Sequence, residues 1–215
     1  EGIQVLGEMA IAWRALNHIP WIGITGTNGK TTVTHLLSHV LQSAGLRAPM
    51  GGNMGVSAAE MALQLKQPDA IQPDWLVMEL SSYQIEAAAE IAPRFGLWTT
   101  LTPDHLERHG TVDAYRAIKR GLLERSEQAI FNADDPDLRR HRPSWNRGLW
   151  VSAEGSNPDG APAALWIDAQ NQVCDPDGPL FEADALAMPG SHNRQNLLMV
   201  TAVARQIGLS GEHIA

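Results

Sequence analysis

Trp21-Ile22-Gly23-Ile24-Thr25, followed by Gly26-Thr27-Asn28-Gly29-Lys30-Thr31-Thr32, is the stretch whose reading decides the fold. The first five residues form an apolar run without polar alternation, the pattern of a strand buried on both faces. After the glycine-rich turn, Val33, Leu36, Leu37, Val40, Leu41 and Ala44 recur at helical spacing, and Gly45 supplies a stop signal. Strand, glycine loop and helix in this order make an anion cradle. Backbone N–H groups and the helix N-terminus face a phosphate, Lys30 adds a point charge for β and γ phosphates, and Thr31 offers a hydroxyl to Mg²⁺. Gly26, Thr27, Asn28, Gly29, Lys30, Thr31 and Thr32 are therefore the expected nucleotide-binding residues. The loop is tighter than the common P-loop, because the position five before Gly29 is Ile24 where that pattern has glycine. The chain's lysines are Lys30, Lys66 and Lys119, so a lysine in this loop is not incidental.

Outward from this core the same alternation continues. Trp75-Leu76-Val77-Met78 and Phe95 to Leu101 are further unbroken apolar runs, each ending near polar residues, and Ala129-Ile130-Phe131 is a fourth. Thr111 to Arg125 reads as a capped helix with Tyr115, Ile118 and Leu122 on one face, and Asn193 to Ile207 as another ended by Gly208. Between about 150 and 182 short apolar pieces are separated by Pro, Gly, Asn and Asp, which predicts antiparallel strands and loops. The expected fold class is α/β, a mostly parallel sheet flanked by helices with a P-loop, plus that small antiparallel section. Ile3 to Asn17 has helical spacing broken by Pro20 and reads as a connector.

Composition bounds the function classes. The 215 residues, 44 % hydrophobic and 19 % charged, suit one large folded domain or two small ones. The net charge of −8 argues against a nucleic-acid partner, which calls for a basic stripe. Leu197 to Ala204, the longest apolar stretch, is far short of the roughly 20 residues of a membrane span, and a single cysteine suits a reducing compartment, so a cytoplasmic location is expected. The chain opens on Glu1, which suggests a piece of something longer.

Several residues outside the loop carry chemistry. Glu79 ends a buried strand on the side where ligands collect in such sheets, and reads either as a Mg²⁺ ligand beside Thr31 or as a solvated acid. His105 sits in a turn past another strand, where a structural histidine is the simpler alternative. Lys119 lies four residues after Tyr115 and borders the buried stripe of its helix, as a functional or a snorkelling lysine. Asn193 and Asn196 either present amides to an edge such as adenine or cap their helix. Asn53 follows two glycines in what reads as a loop open to close approach by a ligand, and Ser81 and Ser82 belong to the same expected surface.

Taken together, the loop, Gly51-Gly52-Asn53-Met54-Gly55, Glu79-Leu80-Ser81-Ser82-Tyr83-Gln84-Ile85-Glu86, Thr102-Pro103-Asp104-His105-Leu106, Tyr115 to Lys119, Asn132-Ala133-Asp134-Asp135 and Gly190 to Asn196 resemble the Mur ligase family, in family order over most of the chain. The Glu-Leu-Ser-Ser-Tyr-Gln block resembles its D-glutamate-adding branch. The resemblance implies that residues 18–215 are a central ATPase domain, that residues 1–17 lead in from an absent N-terminal domain, and that a C-terminal domain is also absent. It implies ATP and two Mg²⁺ ions, one held by Thr31 and Glu79, the other by His105 and by Lys119 converted to a carbamate by CO₂. It places Asn53 near the γ-phosphate and the sugar-linked substrate, and makes Lys30, Glu79, His105 and Lys119 the catalytic set. The implied reaction joins UDP-N-acetylmuramoyl-L-alanine to D-glutamate through an acyl phosphate. Another ligase of the same superfamily, such as a sister Mur ligase or a folate polyglutamate ligase, is the alternative. A P-loop kinase or switch fits less well, since no Asn-Lys-x-Asp motif is present.

Overall fold

The computed structural model describes residues 6–215. Nine α-helices and nine strands are formed among them. In chain order they are α1 (Glu8–Leu16), β1 (Trp21–Thr25), α2 (Lys30–Ser43), β2 (Met50–Gly52), α3 (Ala58–Leu65), β3 (Leu76–Glu79), α4 (Ser82–Ala87), β4 (Phe95–Trp98) and α5 (Leu106–His109). There follow α6 (Val112–Arg125), β5 (Gln128–Asn132), α7 (Pro136–His141), β6 (Leu149–Ser152), β7 (Leu165–Ile167), β8 (Gln172–Asp175), β9 (Gly178–Glu182), α8 (Ser191–Ile207) and α9 (Gly211–Ile214).

All strands belong to one sheet of order β2-β3-β1-β4-β5-β6-β7-β8-β9. Pairing is parallel from β2 through β7, and only β8 runs against its neighbours. This corrects one expectation. The strand at Leu149–Ser152 is not antiparallel but pairs parallel to β5 and β7, so the reversed section starts at the β7–β8 hairpin and extends the main sheet. Short apolar pieces signal strands but carry no information on direction, which is fixed by how the connection returns.

Alternate residues of the central strands feed two cores, as the period of a strand requires. Ile22, Ile24, Val77, Leu97 and Ile130 face α2 and α8, where Val33, Leu37, Leu41, Leu198 and Val203 close the layer. Trp21, Leu76, Met78, Trp98 and Phe131 face the other way, against Met9 and Leu16 of α1, Met61 of α3, Ile85 of α4 and Tyr115, Leu122 and Leu123 of α6. The stretch read as a connector thus includes a helix seated in the core. Glu8 accepts from the backbone N–H of Ala59, and Arg14 pairs with Glu90 at 2.7 Å. Residues 1–5, the start of that expected connector, lie outside the described residues. Among the described residues no helix is long and apolar enough to cross a membrane.

Candidate functional site

The site forms at the carboxyl ends of β2, β3, β1 and β4, where the strand order switches direction around β1. Gly26 and Gly29 permit the loop after β1. Gly26 has φ of 146°, and a Cβ there would lie 2.0 Å from Thr99 Oγ1; Gly29 has φ of 84° with Asn196 Oδ1 2.8 Å from the same imagined atom. Gly29 caps α2 without any side-chain hydrogen bond, which leaves the helix N-terminus for an anion.

The loop rests on the chain that leaves β4. Thr27 N–H donates to the Thr100 carbonyl at 2.9 Å, Asn28 N–H to Thr100 Oγ1 at 2.9 Å, and Thr99 Oγ1 to the Asn28 carbonyl at 2.5 Å. Thr102 N–H donates to Thr27 Oγ1 at 3.0 Å. Phe95 to Leu101 therefore splits: the strand ends at Trp98, and the threonines peel away to hold the loop. Sequence reasoning missed Thr99 and Thr100, whose one signal is a threonine cluster directly after a buried run.

Lys30 folds over the cradle, its Nζ donating to the carbonyls of Gly26 at 3.1 Å and Thr27 at 3.0 Å. Thr31 Oγ1 donates to Glu79 Oε2 at 2.8 Å, and Asn53 Nδ2 to Oε1 of the same carboxylate at 3.0 Å. Glu79 is 1 % exposed, so the solvated reading of this residue does not hold. A hydroxyl and a carboxylate are both oxygen donors, the chemistry that a Mg²⁺ would take. Thr32 lies half-buried and Asn28 exposed on the same loop.

The glycines before Asn53 serve a different purpose from the one expected. Gly51 and Gly52 form β2 itself, and a Cβ on Gly52 would sit 2.3 Å from the Glu79 carbonyl. Their lack of a side chain admits neighbouring backbone, not a ligand. The register that results, Gly52 beside Glu79, is what delivers Asn53 to the carboxylate.

Lys119 is 1 % exposed and points from α6 into the base of the loop, where Nζ donates to Gly26 O at 3.1 Å and Thr25 Oγ1 at 3.2 Å. It lies over the Tyr115 ring, 4.6 Å from the centroid. Burial, and then the charge of Lys30, push its ammonium down to about 7, against an upward pull from Asp104. A neutral amine near pH 7 is the form that adds CO₂. His105 begins α5 in the left-handed region, φ 52°, with its side chain about 43 % exposed beside Asp104. The His105 and Lys119 side chains both neighbour the Tyr115 ring. Among the described residues, no group of three or more His, Cys, Asp or Glu is placed to hold a metal.

Asn196 packs over Gly29, while Asn193 Nδ2 donates to the Pro189 carbonyl at 2.8 Å. Ser81 caps α4 in a reciprocal capping box with Gln84, and Ser82, buried, is hydrogen-bonded to His109 Nε2 at 2.9 Å.

Fold and site together define the class, a parallel α/β domain of the P-loop type with a threonine–glutamate pair beside the loop lysine. The chain belongs to the Mur ligase family: the Mur ligase middle domain matches residues 24–204. It is 77 % identical, over 97 % of its own length, to the UDP-N-acetylmuramoylalanine–D-glutamate ligase of Parasynechococcus marenigrum (strain WH8102), of which it spans 45 %. Among solved structures it is similar to a UDP-N-acetylmuramoyl-L-alanyl-D-glutamate–2,6-diaminopimelate ligase, with a TM-score of 0.73 at 22 % identity over 96 % of this chain and 49 % of that one. It is also similar to a MurF ligase from Thermotoga maritima in complex with ADP, with a TM-score of 0.66 at 20 % identity over 97 % of this chain and 51 % of the other.

Proposed function

We propose that this chain is the ATP-binding middle domain of an ATP-dependent amide ligase, and that the whole enzyme adds D-glutamate to UDP-N-acetylmuramoyl-L-alanine in the cytoplasm during peptidoglycan synthesis. The observation that carries the reading is the joining of Lys30, Thr31 and Glu79 at the mouth of the loop, in a chain 77 % identical to a ligase so named. The chain spans less than half of that relative, and the domains for the UDP-sugar and for the incoming amino acid belong to the remainder. The nucleotide domain takes in α1, whose Met9 and Leu16 lie in its core, together with residues 18–215.

The amides of Gly29 to Thr32, at the N-terminus of α2, hold the phosphates while those of Thr27 and Asn28 stay bound to Thr100, and Asn193 and Asn196 bound the adenine end. Lys30 leaves its own loop carbonyls for the β and γ oxygens. Thr31 and Glu79 would hold one Mg²⁺, and His105 with Lys119 as a carbamate would hold a second; such ions would offset charge between two anions. Asn53 and Ser81 border the acyl substrate, whose carboxylate attacks the γ-phosphorus as ADP leaves, and the buried Ser82 supports that wall from behind through His109. The amine of D-glutamate then displaces phosphate from the acyl phosphate. No side-chain nucleophile is required, because positioning and charge neutralisation lower the barrier.

Assay of the full-length enzyme with both substrates and ATP tests this. Product should form with D-glutamate, fall by most of its rate in Lys119→Ala, and stay low in Lys119→Arg, since a guanidinium remains cationic. Normal turnover by Lys119→Arg would overturn the carbamate assignment, and failure to use D-glutamate would overturn the substrate.

A further inference from the structure

Helix α7 touches no part of the cradle, yet its first turn fastens both of the bodies on which the P-loop rests. Asp135 is 5 % exposed and divides its carboxylate between two tasks. Oδ1 accepts from the N–H groups of Asp137 at 3.0 Å and Leu138 at 2.9 Å, which is ordinary helix capping. Oδ2 accepts from Leu101 N–H at 2.9 Å. Leu101 lies between Thr100 and Thr102, the residues that bind the backbone of Thr27 and Asn28 and the Thr27 hydroxyl. The second oxygen therefore grips the middle of the strip beneath the loop.

Two residues on, Asp137 meets Arg116 of α6 in a bidentate pair at 2.7 and 2.6 Å, with both side chains less than a fifth exposed. Burial pushes the Asp137 carboxyl up, but the guanidinium more than offsets this and holds it below its usual range. Arg116 follows Tyr115, whose hydroxyl lies 3.4 Å from Thr27 Oγ1, and precedes by one turn Lys119, which holds the Gly26 carbonyl. One short helix thus ties the strip after β4 to the flank of α6, and these are the two supports of Gly26 to Gly29.

We infer that Asp135 and Asp137 are positioning residues, and that α7 is a brace that sets the width of the nucleotide cradle. Neither side chain touches the nucleotide; they act through Leu101 and Arg116. Backbone contacts on both sides of the loop are then over-determined, so the cradle is rigid before phosphate arrives and loses less on ordering. The inference rests on the reading that this loop takes ATP.

Capping and bracing are separable by substitution. Asp135→Ser keeps a good N-cap but has no second oxygen for Leu101, while Asp137→Asn leaves the cap and weakens the pair with Arg116. Val173→Ala, a buried truncation in β8 far from the loop, is the control for lost stability alone. The measurements on the whole chain are ADP affinity with Mg²⁺ by calorimetry, the melting temperature, and amide exchange at Thr27 and Asn28. Asp135→Ser should weaken ADP by about tenfold and speed exchange at both amides by a similar factor, as for one charged hydrogen bond lost from a coupled network. Asp137→Asn should do the same more weakly, and should add nothing once Arg116→Gln is present. Val173→Ala should lower the melting temperature and change neither. Parent-like affinity and exchange in folded Asp135→Ser and Asp137→Asn would overturn the brace. If the parent itself does not bind ADP, the nucleotide reading fails, and exchange at Thr27 and Asn28 still decides whether α7 holds the loop.

Discussion

Lys119 owes its chemistry to its surroundings, and this makes it testable without substrate. In the unfolded chain its amine titrates near 10.5, and in the fold near 7. Between those values the unfolded chain holds a proton that the native state lacks, so stability should rise with pH through that window, by at most about 1.4 kcal/mol per pH unit. Below about 7 both states are protonated and the full penalty of the buried cation persists. Lys119→Met should flatten this rise, measured as urea midpoints from about pH 6 to 10 in CO₂-free buffer; an unchanged slope in the variant would show that other groups cause it. At this scale the loop residues and the burial of Lys119 were legible in the sequence, because glycine, lysine and threonine at fixed spacing and a lysine next to a helical apolar stripe are local patterns. Thr99, Thr100 and Asp135 were not, since each acts on backbone more than 30 residues away.

Among elements, β2 is the least visible in sequence and the most consequential for the site. Three residues, two of them glycine, carry no strand signal, and the strand exists because β3 offers an open parallel edge. Gly52→Ala places a methyl group 2.3 Å from the Glu79 carbonyl at φ 105°, so it should cost roughly 2 kcal/mol or more in a denaturant titration and displace Asn53 from Glu79. A near-neutral variant would mean that β2 is free to shift. Helix α6, by contrast, is legible in the sequence together with its cap, Thr111, whose Oγ1 accepts from Ala114 N–H at 3.1 Å. Thr111→Ala should destabilise by about 1 kcal/mol, measured as a shift in the same titration. The direction of β6 was out of reach because apolar runs of equal length serve parallel and antiparallel strands alike.

For the molecule as a whole, the parallel sheet with its ligand edge at the carboxyl ends follows from a repeated strand–helix alternation that the sequence shows plainly. The chain spans less than half the length of the relative it matches at 77 % identity, and this stretch is expected to bind nucleotide by itself. The most direct test is calorimetric titration of the chain with ATP and Mg²⁺, beside Lys30→Ala and with GTP in place of ATP. The expected result is one ATP site, weaker binding of GTP, and a loss of affinity of about 100-fold or more in Lys30→Ala, because a charge-assisted phosphate contact disappears from a site with few other cations. Unchanged ATP affinity in Lys30→Ala, or no binding by the parent chain, would contradict it.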